Sequence, residues 1–372
     1  MTIPPRRIFA SYSKFNRAAW LLAGLCVAST FACSSSDDST NDPSGGTGAA
    51  SGTPGAGTSS GSGGASTAGT ASGGAGNGSA GTGAKPSGDG ELLGTFKIEV
   101  TADESGPTMG TTSVLGKVSS GATPAGVVWE EAGTEGACRL EKPRVPFCTP
   151  SCGADVCVED DVCRPYPTAQ SVGAVTLTGV KLLDGASELS LKEVAKAYQP
   201  PAGTMFAYPP FQEGDQVKLS AAGGELPGFD LQTTGVAPMW LSNEELTLEE
   251  GAPLELTWDA AADPAASNIH VKLDISHHGG SKGMIECDQD DTGTLSIPAA
   301  LVTELLGLGV AGFPTVIVTR SASAKTKVGS GDVALTVAST LERAVTVPGV
   351  ESCTDDEQCP TGETCQADLT CK

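Results

Sequence analysis

From about residue 93 the chain alternates apolar and polar positions in short runs. In GTFKIEVTA (94–102), Phe96, Ile98 and Val100 share one face, the period of a strand with one buried side. TSVLGKVSS (112–120), GVVWEEA (126–132), VGAVTLTGV (172–180), DQVKLSAAG (215–223) and LELTWDA (254–260) repeat the pattern between Gly and Pro breaks. SELSLKEVAKAYQ (187–199) fits a short helix or a strand. Four prolines in 200–211 predict a loop. The clearest hairpin spans 268–289: NIHVKLDIS places Val271, Leu273 and Ile275 on one face, HHGGSK turns the chain, and GMIECD returns. Matching apolar faces pairs Ile275 with Ile285 and Leu273 with Cys287, so Cys287 falls on the core-facing row. SIPAALVTELLGLG (296–309) predicts one helix, opened by Pro298, with Ala299 to Leu306 as its body. TVIVTRS (315–321) and DVALTVAS (332–339) add two strands. Such one-sided strands predict a mainly β fold, an antiparallel β-sandwich-like ectodomain with one short helix and small disulfide-rich knuckles.

The N-terminal quarter has a different pattern. Residues 1–17 carry Arg6, Arg7, Lys14 and Arg17 and no acid, and residues 18–32, AAWLLAGLCVASTFA, are almost wholly apolar or small. A basic segment followed by a short apolar one reads as an export signal, too short to span a bilayer comfortably. Residues 34–92 then contain no aromatic residue and are dominated by Ser, Thr, Gly and Ala. That composition cannot bury enough apolar area to offset its ordering entropy. It predicts a flexible tether with an end-to-end distance of roughly 40 Å.

TFAC (30–33) resembles the bacterial lipobox. The resemblance implies cleavage after Ala32 and lipidation of Cys33. Ser34, with no Asp at that place, resembles outer-membrane sorting in many Gram-negative bacteria. The implied location is the cell outer membrane, with the chain held by its acyl chains.

Charge narrows the partners. Lys+Arg number 22 against 44 Asp+Glu, a formal charge of -22; loss of the four basic residues of 1–32 makes it -26. So acidic a surface excludes nucleic acid and polybasic attachment to lipid.

Cysteine usage agrees with export. Of 12 cysteines, Cys26 lies in the expected signal and Cys33 is the one that the lipobox resemblance implies is lipidated. The remaining ten are an even set, as complete pairing requires. CTPSCGADVCVEDDVC (148–163) and CTDDEQCPTGETCQADLTC (353–371) read as two versions of one four-cysteine knuckle, one inserted and one terminal. Each allows three pairings. The interlaced one is preferred, Cys148–Cys157 with Cys152–Cys163 and Cys353–Cys365 with Cys359–Cys371, because its loops close without severe strain. Cys138 and Cys287 are left for a long-range bond. The terminal copy resembles short cysteine-rich modules of secreted proteins from myxobacteria and related Gram-negatives. The whole layout resembles uncharacterised outer-membrane lipoproteins of that group, which implies no activity. The expected organisation is a signal peptide at 1–32, a tether at 33–92, a β-rich domain at 93–350 with a cysteine cluster inserted at 138–163, and a knuckle at 351–372.

Candidate chemistry is sparse. The cysteine groups lack a CxxC pair, and export disfavours the reduced thiolates that zinc needs, so no metal or other cofactor is expected. GGSKG (279–283) matches G-x-S-x-G, with His277 and His278 just before Ser281. A hydrolase elbow needs a helix after that turn, and here a second strand follows, so the glycines serve a hairpin and no enzyme is expected. His270 and His278 read as polar-face residues. DQDDTG (288–293) faintly resembles a calcium loop but has Ala299 at its twelfth position, which leaves solvated turn acids or a loose calcium site shared with Asp274. Tyr208, Phe211 and Trp240 form the candidate binding surface, with Tyr208 and Phe211 presented by prolines. Trp258 alternates with Leu254 and Leu256 and is expected in the core. The function expected is a tethered, non-catalytic binding or structural module with an envelope protein or glycan as partner. An adhesion protein presenting its C-terminal knuckle is the alternative.

Overall fold

A computed structural model describes residues 90–372 apart from 104 and 281. The expected signal peptide, the lipidation site Cys33, the tether as far as residue 89, and Ser281 lie outside the described residues.

Eighteen strands follow in chain order. The first ten are β1 (Glu91–Asp103), β2 (Gly106–Ser119), β3 (Val128–Glu135), β4 (Cys138–Arg144), β5 (Val156–Glu159), β6 (Val162–Arg164), β7 (Ala169–Gln170), β8 (Val175–Thr178), β9 (Glu188–Val194) and β10 (Ala197–Gln199). The rest are β11 (Gln216–Ala221), β12 (Phe229–Thr234), β13 (Leu254–Thr257), β14 (Asn268–Asp274), β15 (Met284–Asp290), β16 (Thr294–Ile297), β17 (Thr315–Val328) and β18 (Gly331–Ala344). Among the described residues one α-helix, α1 (Ala299–Leu306), has the expected bounds and begins after Pro298. The ambiguous 187–199 stretch is a hairpin whose turn residues Ala195 and Lys196 both have positive φ. With neither Gly nor Asn there, the turn left no mark in the sequence.

Thirteen strands line up in one twisted sheet in the order β12-β11-β8-β9-β10-β2-β1-β18-β17-β14-β15-β4-β3, with β7 beside β2. Most neighbours are antiparallel. The exception is β1, which runs parallel to β18 while pairing antiparallel with β2. The last hairpin is longer than its apolar pattern, because β17 and β18 each run 14 residues around a two-residue Gly329-Ser330 turn.

These two long strands serve two separate hydrophobic cores. The first gathers Phe96, Ile98, Tyr198, Phe211, Leu219 and Val337, where β12 lies against β17 and β18. The second gathers Leu140, Val271, Ile285, Val318 and Leu341 from the sheet. It is roofed by the small β13–β16 sheet, by α1 through Leu301, Val302 and Leu305, and by the 239–248 segment. Between them, at paired positions of β17 and β18, stand Arg320 and Ser339, both buried.

The β14–β15 hairpin keeps the expected faces but shifts register by two residues. Leu273 opposes Ile285, and Val271 opposes Cys287, instead of the pairs Ile275–Ile285 and Leu273–Cys287. The turn begins at Ile275, whose carbonyl accepts from Ala311 N instead of joining the ladder. A slip of two preserves which side chains face inward, so Cys287 is still fully buried.

Candidate functional site

Five disulfides form in the described region: Cys138–Cys287, Cys148–Cys157, Cys152–Cys163, Cys353–Cys365 and Cys359–Cys371. They join the pairs named above. Three sulfurs in each knuckle lie close enough to share an ion, but all of them are bonded in pairs and offer no thiolate. Cys138 and Cys287 face each other directly across β4 and β15 and close a separation of 149 residues.

On the solvent side of that disulfide lies a charged cluster. Arg139 donates to Glu141 (2.8 Å), to Asp288 (3.0 Å) and to Glu286. His270 Nδ1 lies 2.9 Å from Asp288 Oδ1. The hydrogen bond to Asp288 is the main cause that raises the His270 pKa. The same contact, helped by Arg139, holds Asp288 down at about 2. His270 is thus a partly buried member of an ion network, where the pattern had placed a plain surface residue.

The DQDDTG acids are not all solvated turn residues. Asp291 is fully buried and accepts from the Arg320 guanidinium, from Trp258 Nε1 (2.7 Å) and from Ser267 Oγ (2.9 Å). Its negative charge is satisfied by side chains, so its carboxylate is committed to the fold rather than to a calcium ion. Asp274 is committed as well, accepting from Ser276 N (2.8 Å) and Ser276 Oγ (3.0 Å). Trp258 is buried, as its alternation required.

The glycines of GGSKG have a physical reason to be glycine. A Cβ on Gly279 would stand 2.3 Å from Gly312 N, and one on Gly283 would stand 2.5 Å from the Leu308 side chain. The 275–279 turn lies against the 309–313 loop, with Phe313 N donating to His277 O (2.8 Å). Gly312 N in turn donates to Asp368 O of the C-terminal knuckle (2.7 Å), and Ser352 Oγ donates to Gly312 O (2.6 Å). The turn, the loop and the knuckle therefore stack in three layers. His277 Nε2 is 3.7 Å from Glu342 Oε1, and His278 is exposed.

Of the three candidate binding residues, Trp240 lines a groove. Phe211 is 1% exposed in the first core, which corrects its assignment to a binding surface. The 200–211 loop pairs back onto residues 181–183, through Lys181 N to Pro210 O and Ala207 N to Lys181 O, and this draws its aromatic side chains inward. Tyr208 is half-buried, its ring packed over Gly110, and burial raises its pKa. Trp240 is half-buried on a groove of about 740 Å³ with Thr101, Asn243, Glu244, Glu342 and Arg343 around it. Met239 and Leu241, on either side, point into the second core. Met239 N donates to Ser339 Oγ (2.8 Å), which fixes the segment across β18 and turns the indole outward.

Among the described residues, no helix is long and apolar enough to cross a membrane. No known protein family matches the sequence, and no curated protein matches it. Among solved structures, the chain is similar to the crystal structure of chicken CNTN1 FN1–FN3 domains. The identity is 6% and the TM-score 0.17, over 63% of this chain and 75% of that one.

Proposed function

We propose that the chain is a tethered cell-envelope lipoprotein whose β-rich part is a non-catalytic binding module. The observation that carries the reading is the complete pairing of the ten cysteines after Cys33, which suits an oxidising compartment outside the cytoplasm. It agrees with the basic and apolar segments before Cys33 and with the Gly/Ser-rich stretch after it. The acyl chains at Cys33 hold the protein to the outer membrane, and the tether lifts the folded part away. The binding site is the Trp240 groove, where an indole face beside amide, hydroxyl and carboxylate groups suits an envelope glycan or protein. A role in presenting the C-terminal knuckle is less well supported, because Cys353 and Thr370 are buried and the knuckle is hydrogen-bonded onto the 309–313 loop.

Metabolic labelling with palmitate tests the anchor. Wild-type protein should take up label and sediment with membranes, and Cys33→Ser should do neither. Label retained by the variant would rule out Cys33 as the lipidated residue. Binding of isolated envelope polysaccharide to the full chain in detergent, compared between wild type and Trp240→Ala, tests the groove.

A further inference from the structure

The two knuckles share a design but sit differently. The C-terminal one is hydrogen-bonded onto the 309–313 loop. The inserted one, 148–163, is flanked by apolar side chains that nothing in the described region covers. Val145 and Phe147 are each 74% exposed and Tyr166 is 62% exposed, while Trp129 and Val162 are also open to solvent. Backbone contacts tie some of them to the knuckle. Phe147 N donates to the Asp160 carboxylate (3.0 Å) and Phe147 O accepts from Asp161 N (3.1 Å), which ties the Phe147 backbone to the knuckle's β5–β6 turn. Trp129 faces Pro143 across β3 and β4, next to Arg144 and Val145. Tyr166 lines an adjoining groove of about 830 Å³ with Val128, Val158 and Pro165. Leaving so many large apolar groups in water beside a disulfide-fixed turn is the pattern of an interaction surface, with aromatic side chains as its anchors.

We propose that this face of the inserted knuckle docks a basic protein segment whose apolar side chains cover Phe147 and Tyr166. Charge selects the partner. Glu131, Asp155 and Glu159 are exposed near the knuckle and make no ion pair among the described residues. Arg144 is already held by Glu130 and Asp160 (3.2 Å). The acids outnumber the free Lys142 and Arg164, and the whole chain is strongly negative. A second copy would set these acids against themselves, and an anionic bilayer would be repelled in the same way. Strand addition at the free edge of β3 is opposed by the bulge between Glu131 and Gly133 and by the edge glutamates. Recognition therefore runs through side chains. The inference does not depend on lipidation or on the Trp240 groove.

The test uses the full chain in detergent and three fluorescein-labelled twelve-residue peptides, read by anisotropy. One peptide alternates lysine with leucine, one glutamate with leucine, and one lysine with serine. The lysine–leucine peptide should bind, and the other two should bind at least tenfold more weakly. The surface variant Phe147→Ser/Tyr166→Ser should lose roughly tenfold or more in affinity. Glu131→Lys/Glu159→Lys should lose affinity at low salt, and Leu183→Ser, at an exposed apolar residue elsewhere on the surface, should bind like wild type. Circular dichroism before titration confirms that each variant is folded. Equal binding of the lysine–leucine and lysine–serine peptides would overturn the proposal, as would unchanged affinity in the Phe147/Tyr166 variant. Self-association abolished by Phe147→Ser, or adsorption to phosphatidylglycerol vesicles through the same residues, would also overturn it in favour of those occupants.

Discussion

A polar rung divides two hydrophobic cores at Arg320 and Ser339. Arg320 occupies the inward row of β17 that Val316 and Val318 begin, and its charge is tolerated there because Asp291 meets it. Removing one partner of such a pair strands the other in low dielectric. Asp291→Asn should therefore cost about 3–5 kcal/mol in a denaturant titration, with Trp258 fluorescence changing in the same transition. A loss near zero would mean that water reaches Arg320. The His270–Asp288 pair carries a pH signature. Asp288, held down at about 2, contributes stability that is present above its unfolded pKa near 4 and is lost as pH falls toward 2. His270, raised by Asp288, contributes stability that is full below its unfolded pKa of about 6.5 and is lost as pH rises through its folded value. Both contributions are present between about pH 4 and 6.5. The denaturant midpoint of the wild type should drop, relative to His270→Gln, as pH is raised from 6 to 9. Parallel curves for the two proteins would contradict the assignment.

At the scale of elements, close backbone approach holds the knuckle as much as its disulfides do. Gly312 has φ +58°, and a Cβ there would stand 2.1 Å from His277 O. Neither contact nor conformation suits an L side chain. Gly312→Ala should destabilise by about 1–3 kcal/mol. It should also speed hydrogen exchange selectively in residues 352–372, because the Gly312–Asp368 hydrogen bond is the seat of the knuckle. Exchange unchanged in that segment would show that the disulfides alone fix it. The hairpin teaches a related lesson. Side-chain parity decides which residues face the core, but the turn decides register, and here Ile275 leaves the ladder to accept from Ala311.

Across the whole molecule, the Cys138–Cys287 bond links the β3–β4 hairpin to the β14–β15 hairpin over 149 residues. In a loop-closure description a bond of that span constrains the unfolded chain by roughly 5 kcal/mol, and measured values run from near zero to that figure. Cys138→Ala/Cys287→Ala should lower the thermal midpoint more than loss of any one of the four knuckle bonds, whose separations are only 9 to 12 residues. Calorimetry of the five variants would decide the order. The inserted knuckle follows β4 at the other end of the β3–β4 hairpin, where Val128 pairs with Arg144 and Arg144 meets Asp160.

Alternation along the chain was enough to reveal a β fold, because a half-buried strand writes its two faces into successive residues. It was also enough for α1, where Pro298 and the 3.6-residue spacing of Leu301, Val302 and Leu305 agree. The even set of cysteines and the inward parity of Cys287 were legible for the same local reason. Other features were decided only by contacts between segments far apart in sequence. The second half of β17, with Ala, Ser and Lys in turn, carries little apolar signal and is a strand because β18 pairs with it to the turn. Asp291 reads as a turn acid until Arg320, Trp258 and Ser267 close around it. Phe211 reads as a presented aromatic until its loop pairs back onto residues 181–183. Burial of a charge or a ring depends on its partners, and periodicity along one segment carries no record of where those partners will be.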